Sequence, residues 1–363
     1  MEDIENIQEQ ISQTGHIVAL CRSDAKGTQK YRVEEADFVN DYGMAGDAHA
    51  GHWHRQVSLL AQERVDTYRA KGMDLADGAF GENIDTEGID LTALSVGSRL
   101  AIGEALLEVT QIGKSCHGHC PIFEATGDCI MPREGIFAVV KHGGHVKAGD
   151  EIKVFAPDPE RPYTAAVITL SDRAFAGERE DKSGPLIKEI LSEQKRTRNA
   201  ADTEGSGGIE SGTSFEKAES GEGASDATSP VEGKSEPMFD VVETLLLPDG
   251  RERLEKELIR LSDQRQVDII FTTGGTGFSD RDQTPEATEA VCDRMTPGIP
   301  EAIRAASMAI TPKAMLSRQT AGIRNHTLII NLPGSPKACR EDLDIVLPAL
   351  AHGLDVLRGN SGE

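Results

Sequence analysis

The segment Thr272-Thr273-Gly274-Gly275-Thr276-Gly277 closes an apolar stretch, VDIIF, and runs into Ser279-Asp280-Arg281-Asp282-Gln283-Thr284-Pro285. A buried strand ending in small residues and glycines lets backbone N–H groups come close to a ligand, and the Thr-Pro pair starts a helix. Strand, glycine loop, aspartate and helix N-terminus in this order suit a phosphorylated molecule held with a divalent cation. The common phosphate motifs GxxxxGK[ST] and GxGxxG are absent. Glycine loops after strands also serve as plain tight turns, so the loop alone leaves both readings open.

What must position this loop is legible from the alternation around it. From Tyr163 the chain reads as strand TAAVITL, helix Gly184 to Gln194, strand VVETLLL, helix Arg251 to Leu261, strand VDIIFTT and helix Pro285 to Arg294. Two further helical segments follow, then strand TLIINL and a last helix from Pro336 to about Leu357. Strands alternating with helices of this length give a mainly parallel sheet covered on both faces, a three-layer α/β domain over 163–360. Residues 195–237 interrupt the pattern with Gly, Ser, Glu, Ala and Thr. Such a stretch buries too little apolar surface to offset its ordering entropy, so a disordered insertion is expected there.

Residues 15–155 read differently, as short β segments (HIVALC, YRV, RQVSLL, RLAIG, ALLEVTQIG, EIKVF) with one helix at Gln62 to Ala70. They predict a compact barrel-like β domain. Residues 1–14 form an N-terminal tail, and 156–162, with three prolines, a linker. The expected fold class is therefore multidomain, a β-barrel followed by a three-layer α/β domain. At 363 residues the chain is long enough for two cores.

Ligands bind α/β sheets outside the carboxyl ends of the strands. Four strands deliver turns there: Ser171-Asp172-Arg173, Pro248-Asp249, the glycine loop, and Asn331-Leu332-Pro333-Gly334. Two of the turns carry Asp249 and Asp282, and Arg173, Arg281, Arg318 and Lys337 offer positive charge. Carboxylates beside phosphates are unfavourable unless a cation lies between them, which points to Mg²⁺ held by one or two carboxylates and the substrate's oxygens. Each aspartate taken singly is also a normal helix cap or turn residue.

With VITLSDRAFAGEREDKSGP, LLLPDG, TTGGTGFSDRDQTPEAT, PGIPEAIR, AMLSRQTAGIR and NLPGSPKA in this order, the second half resembles the MogA and MoaB-like molybdopterin adenylyltransferase family. The resemblance implies a Mg-ATP-dependent transfer of AMP to the terminal phosphate of molybdopterin, in an assembly that is often trimeric. It places the family's essential acidic pair, as catalytic and Mg²⁺-holding residues, on Asp249 and Asp282. It matches Gly274, Gly275 and Gly277 to the family's ligand-binding loop and Ser317 with Arg318 to its SR turn, and together with the strand-end turns substrate and nucleotide contacts are expected at these residues and at Ser171, Asp172, Arg173, Thr273, Thr276, Pro333 and Gly334. A molybdenum insertion protein is a partner to look for. A domain that binds the pterin without catalysis, as a carrier, is the alternative.

In the first half, Lys114-Ser115-Cys116-His117-Gly118-His119-Cys120 with Cys129 nearby allows a structural metal, a reactive thiol favoured by adjacent Lys and His, or a plain buried cysteine. The pieces YGMAGDAHAGHWHRQVSLLAQE, FGENI, LSVGSRLAIGEALLEVTQIGKSC and GGHVKAGDEIKV resemble the MOSC family. That resemblance puts Cys116 at the family's cysteine and implies a barrel that binds the molybdenum cofactor or carries sulfur, with His49 and Arg55 as companions.

The formal charge of -23 argues against a nucleic-acid partner, because phosphate backbones select basic surfaces. No apolar run approaches the ~18 residues of a membrane span, and the first residues are acidic and polar. A cytoplasmic protein acting on small molecules is the expectation.

Overall fold

The computed structural model describes residues 11–114, 129–197 and 235–359. Cys116 and its neighbours to Cys120, and most of the expected insertion, lie outside them.

The first domain is a closed barrel of seven strands. Around the ring come Ile11–Arg22, Ile84–Glu87, Val57–Ala61, Ile136–His142, Ala105–Ile112, Arg99–Ile102 and Glu151–Phe155, which pairs back onto Ile11–Arg22. Closure depends on the long first strand, whose early residues pair with Glu151–Phe155 and whose later ones pair with Ile84–Glu87, with register shifts in both ladders. Bulges of this kind bend a strand enough to serve two neighbours. Ile17, Leu20, Leu59, Ile84, Leu100, Leu107, Ile136 and Val154 fill the interior. The helix Gln62–Arg69 packs Val65 and Tyr68 with Phe80, Met131 and Phe137 in a separate outer cluster.

The second domain has a six-stranded sheet in the order Phe239–Leu247, Tyr163–Leu170, Ile269–Thr273, Thr327–Leu332, Ala321–Arg324, Arg294–Met295. The first four strands are parallel, and the last two pair antiparallel. Alternation along the strands divides the core in two. Ala165, Val167, Ile269 and Phe271 face the helices Ser183–Glu193, Gly298–Ile310 and Pro336–Arg358 through Ile187, Ile303 and Leu343. Ala166, Ile168 and Ile270 face the helices Arg251–Ile259 and Thr284–Val291 through Leu254, Leu258 and Ala287.

Three details differ from the sequence expectation. The helix expected to reach Arg294 ends at Val291, and Arg294–Met295 joins the sheet edge instead. The helix Arg251–Ile259 continues into a π-turn over Arg260–Gln264. Lys195–Thr197 and Ser235–Pro237 pair antiparallel, so the ends of the expected insertion form a two-stranded stem.

Side chains of the α/β domain meet the barrel's backbone where the α/β strands begin. Arg265 Nη1 donates to Thr110 O at 2.7 Å, and Val96 N donates to Gln266 Oε1 at 3.0 Å. The end of the linker is held by Arg358, which donates to the carbonyls of Arg161 and Pro162 and to both oxygens of Asp268. Among the described residues no helix is long and apolar enough to cross a membrane.

Candidate functional site

The strand Ile269–Thr273 is buried along its whole length, so its polar end residues must find partners inside the fold. Thr273 Oγ1 donates to Pro333 O at 2.7 Å, and Asn331 Nδ2 donates to Thr272 Oγ1 at 2.9 Å. The turns after the third and fourth parallel strands are thereby joined. Gly274 and Gly275 then take φ of +100° and +64°. A side chain at Gly274 would meet Leu170 O at 2.4 Å, and one at Gly275 would meet Thr284 Oγ1 at 2.3 Å. Only glycine fits either place. Thr284 opens the next helix and closes the loop, since its Oγ1 donates to Gly274 O at 2.9 Å and its N–H to Gly275 O at 3.2 Å.

Three carboxylates gather beside this loop. Asp249 N donates to Asp172 Oδ1 at 3.0 Å and Asp172 N donates to Asp249 Oδ2 at 3.1 Å, a reciprocal pair that ties the first two strand-end turns together. Ser171 caps its own turn by accepting from Ala174 N at 3.2 Å. Asp282 Oδ2 accepts from Ser279 N at 2.9 Å. Burial raises the Asp249 pKa first of all, the N–H of Asp172 opposes it, and the charges of Asp172 and Asp282 raise it further, with Arg281 acting the other way. Asp249 therefore sits in a field to which both other acids contribute. Arg281 Nη1 lies 3.6 Å from Asp172 Oδ2, while Arg173 is turned to solvent near Glu178.

Arg318 does more for the loop than the sequence suggested. Its N–H donates to Thr276 O and its Nε to Gly277 O at 2.7 Å, Nη2 donates to Asp282 O, and Nη1 pairs with Glu286. The guanidinium thus joins the glycine loop to the Asp282 turn. Two hollows flank the loop. One, of about 410 Å³, is lined by Arg251, Phe278, Ser279, Asp282 and Arg318. The other, of about 420 Å³, is lined by Thr276, Gly277, Ser317, Pro333, Gln319 and Asp342. Asp342 lies outside every motif, Glu286 and Gln319 lie within motifs in which other residues carried the signal, and Thr284 was marked by the Thr-Pro helix start.

Among the described residues no group of three or more His, Cys, Asp and Glu forms a metal cage. One or two carboxylates completed by substrate oxygens is the arrangement Mg²⁺ takes in phosphate chemistry. Asp249 and Asp282, crowded by a third acid, fit that need.

In the barrel, Asp47 is buried and accepts from Lys30 Nζ at 3.0 Å and Ser23 N at 2.9 Å. His49 Nδ1 lies 3.4 Å from Ser23 Oγ on the half-exposed side of this group. The Arg55 guanidinium lies over the rings of Trp53, at 4.8 Å, and Phe137, at 5.6 Å. His54 Nε2 meets Gln111 Oε1 at 2.9 Å, and burial followed by the Arg265 charge brings its pKa down to about 4. His52 points outward to Asp41. Cys129 is buried, and the position of Cys116 relative to His49 and Arg55 falls outside the described residues.

Residues 235–352 match the family described as "Probable molybdopterin binding domain", and residues 46–153 match the MOSC domain. A molybdopterin adenylyltransferase of Helicobacter pylori is 40% identical over 194 residues, covering 53% of this chain and 87% of that protein. The molybdopterin adenylyltransferase of Escherichia coli K12 is 34% identical over 192 residues, covering 52% of this chain and 77% of that protein. Gephyrin of Dictyostelium discoideum is 38% identical over 198 residues, covering 54% of this chain but 23% of its own length.

Proposed function

The chain belongs, through its C-terminal half, to the molybdopterin adenylyltransferase family, and we propose that this half transfers AMP from Mg-ATP to the terminal phosphate of molybdopterin. The observation that carries the reading is the meeting of Asp172, Asp249 and Asp282 beside one glycine loop. A phosphate oxygen of the pterin attacks the α-phosphorus of ATP. A new P–O bond forms, the bond from the α-phosphorus to the bridging oxygen breaks, and pyrophosphate leaves with that electron pair.

Little covalent chemistry is needed from protein groups, because aligning two anions and neutralising their charge supplies most of the rate. Mg²⁺ held by Asp249 and Asp282 would supply positive charge at the phosphates. The chain's own part is positional. Asp172 fixes Asp249 through two backbone bonds, Arg318 fixes the loop against the Asp282 turn, and Arg281 and Arg251 bring positive charge to the rim.

Incubation with molybdopterin and Mg-ATP should release pyrophosphate, and Asp282→Asn should lower that release by at least a hundredfold. Pterin binding with no pyrophosphate from the wild-type protein would instead establish a carrier. For the barrel we propose binding of the molybdenum cofactor or a cofactor-bound sulfur, with Cys116, His49 and Arg55 as its residues. Molybdenum content and intact mass of the purified protein, compared with Cys116→Ser, test this part. We further propose a cytoplasmic homo-oligomer, a trimer through the C-terminal domain, that hands product to a molybdenum insertion protein. Light scattering on the full chain tests the assembly.

A further inference from the structure

The hollow of about 420 Å³ beside the glycine loop has an unusual wall. At one end are Thr276, Gly277 and Ser317, next to the acidic cleft. Asp342, from the helix Pro336–Arg358, also lines it. Asp342 is only 2% exposed, yet no lysine, arginine or histidine among the described residues lies within ion-pair distance of it. Its oxygens accept from neutral donors only, Gln319 Nε2 at 2.7 Å and Ser307 Oγ at 3.3 Å. Gln319 is in turn oriented by Ser317 Oγ at 2.5 Å and by the Asn331 carbonyl at 3.2 Å. The nearby Arg304 donates to the carbonyls of Ser317 and Gln319. Burial raises the pKa of Asp342, and its two hydrogen bonds oppose the rise.

A carboxyl group so placed repels phosphate and welcomes N–H donors. Each carboxylate oxygen accepts more than one hydrogen bond, so capacity remains after Gln319 and Ser307 are satisfied. A pterin phosphate has ends of opposite character. Its phosphate is an acceptor, and the pyrimidine edge of its ring presents N3–H and the 2-amino group side by side. Two parallel donors match the two oxygens of a carboxylate. The phosphate then lies toward the loop and the acidic cleft, and the ring edge toward Asp342.

We propose that Asp342 is a specificity-determining residue that recognises the N3–H and 2-amino edge of the pterin. The assignment rests on reading the neighbouring cleft as the place where the phosphate of the pterin binds.

Fluorescence titration of the full chain with 6-hydroxymethylpterin and with 6-hydroxymethyllumazine, in which a carbonyl replaces the 2-amino group, tests it. The wild-type protein should prefer the pterin at least tenfold, since a site built to bond a donor rejects the analogue that lacks it. Asp342→Asn, whose amide offers one acceptor and one donor, should shift the preference toward the lumazine. Asp342→Ala should lose the preference while melting as a folded protein. Equal binding of the two by the wild-type protein, no binding of either, or an unchanged preference in Asp342→Asn overturns the assignment. Pyrophosphate release measured in parallel separates the two ideas. A pterin preference without pyrophosphate removes the adenylylation reading and keeps Asp342, whereas pyrophosphate without a preference removes Asp342 alone.

Discussion

At the residue scale the protein works by placing like charges together. Asp249 is held by the backbone of Asp172 and lies in the negative field of Asp172 and Asp282, so its pKa is raised. A carboxyl whose folded pKa lies above its unfolded one binds its proton more tightly when folded. The contribution of Asp249 to the stability of the ligand-free protein should therefore fall as pH rises from the unfolded pKa through the raised folded one, and be level above that window. Asp249→Asn should remove this decline, melt no lower than the wild-type protein at pH 7, and lose pyrophosphate release by at least tenfold. Calorimetry across pH and the pyrophosphate assay check both halves, and a variant that melts lower would show that Asp249 serves the fold. Mg²⁺ should draw the acid limb of the activity profile downward in pH, because a cation favours the ionised carboxylate.

At the scale of elements, the glycine loop shows why backbone conformation is part of the site. Gly275→Ala would place a Cβ at φ +64° and 2.3 Å from the hydroxyl oxygen of Thr284, the group that closes the loop. The conformational term alone is roughly 1–2 kcal/mol, and displacing buried Thr284 adds to it. Gly359→Ala, at φ +79° with nothing within 4 Å, carries the first term only. Thermal melts should show the larger loss for Gly275→Ala, and that variant alone should lose activity. The loop, the parallel strands and the acids were readable in the sequence because each strand is a long apolar run ending in turn residues. The edge strands Arg294–Met295 and Ala321–Arg324 were not, since two and four residues are too short for an alternation to register. Asp342 was hidden for another reason. It occupies an ordinary position in an amphipathic helix, and only the fold brings Gln319 and Ser307 to it. The motif around Arg318 was visible, but its attachment to two carbonyls of the loop and the Asp282 turn needed the tertiary structure.

At the scale of the whole molecule, the contact between the domains and the reactive cleft lie at opposite ends of the sheet. Asp268 precedes the strand Ile269–Thr273 and the glycine loop follows it, so five residues, or about 17 Å at a strand's rise, separate the two. Fusion of the domains therefore does not bring the Asp249 and Asp282 cleft against the barrel, as proximity in one chain would suggest. It builds a joint instead. The π-turn Arg260–Gln264 delivers Arg265 to Thr110 O, and Gln266, at φ +45°, accepts from Val96 N. A non-glycine residue in the left-handed region is strained by roughly 1 kcal/mol or more, and the bond across the domains helps to hold it there. Glu243 keeps Arg260 as a partner when Arg265 is removed, whereas Thr110 O loses its donor. Arg265→Met should accordingly weaken the joint by about 1–3 kcal/mol. Calorimetry of the wild-type chain should give one cooperative transition, and the variant should give two, with the barrel melting first. Because the joint is a strand's length from the cleft, pyrophosphate release should stay within twofold of wild type. A single unshifted transition in the variant would show that the domains melt together for other reasons. A large fall in activity with the transition unchanged would mean that the sheet transmits strain from its starting edge to its finishing edge.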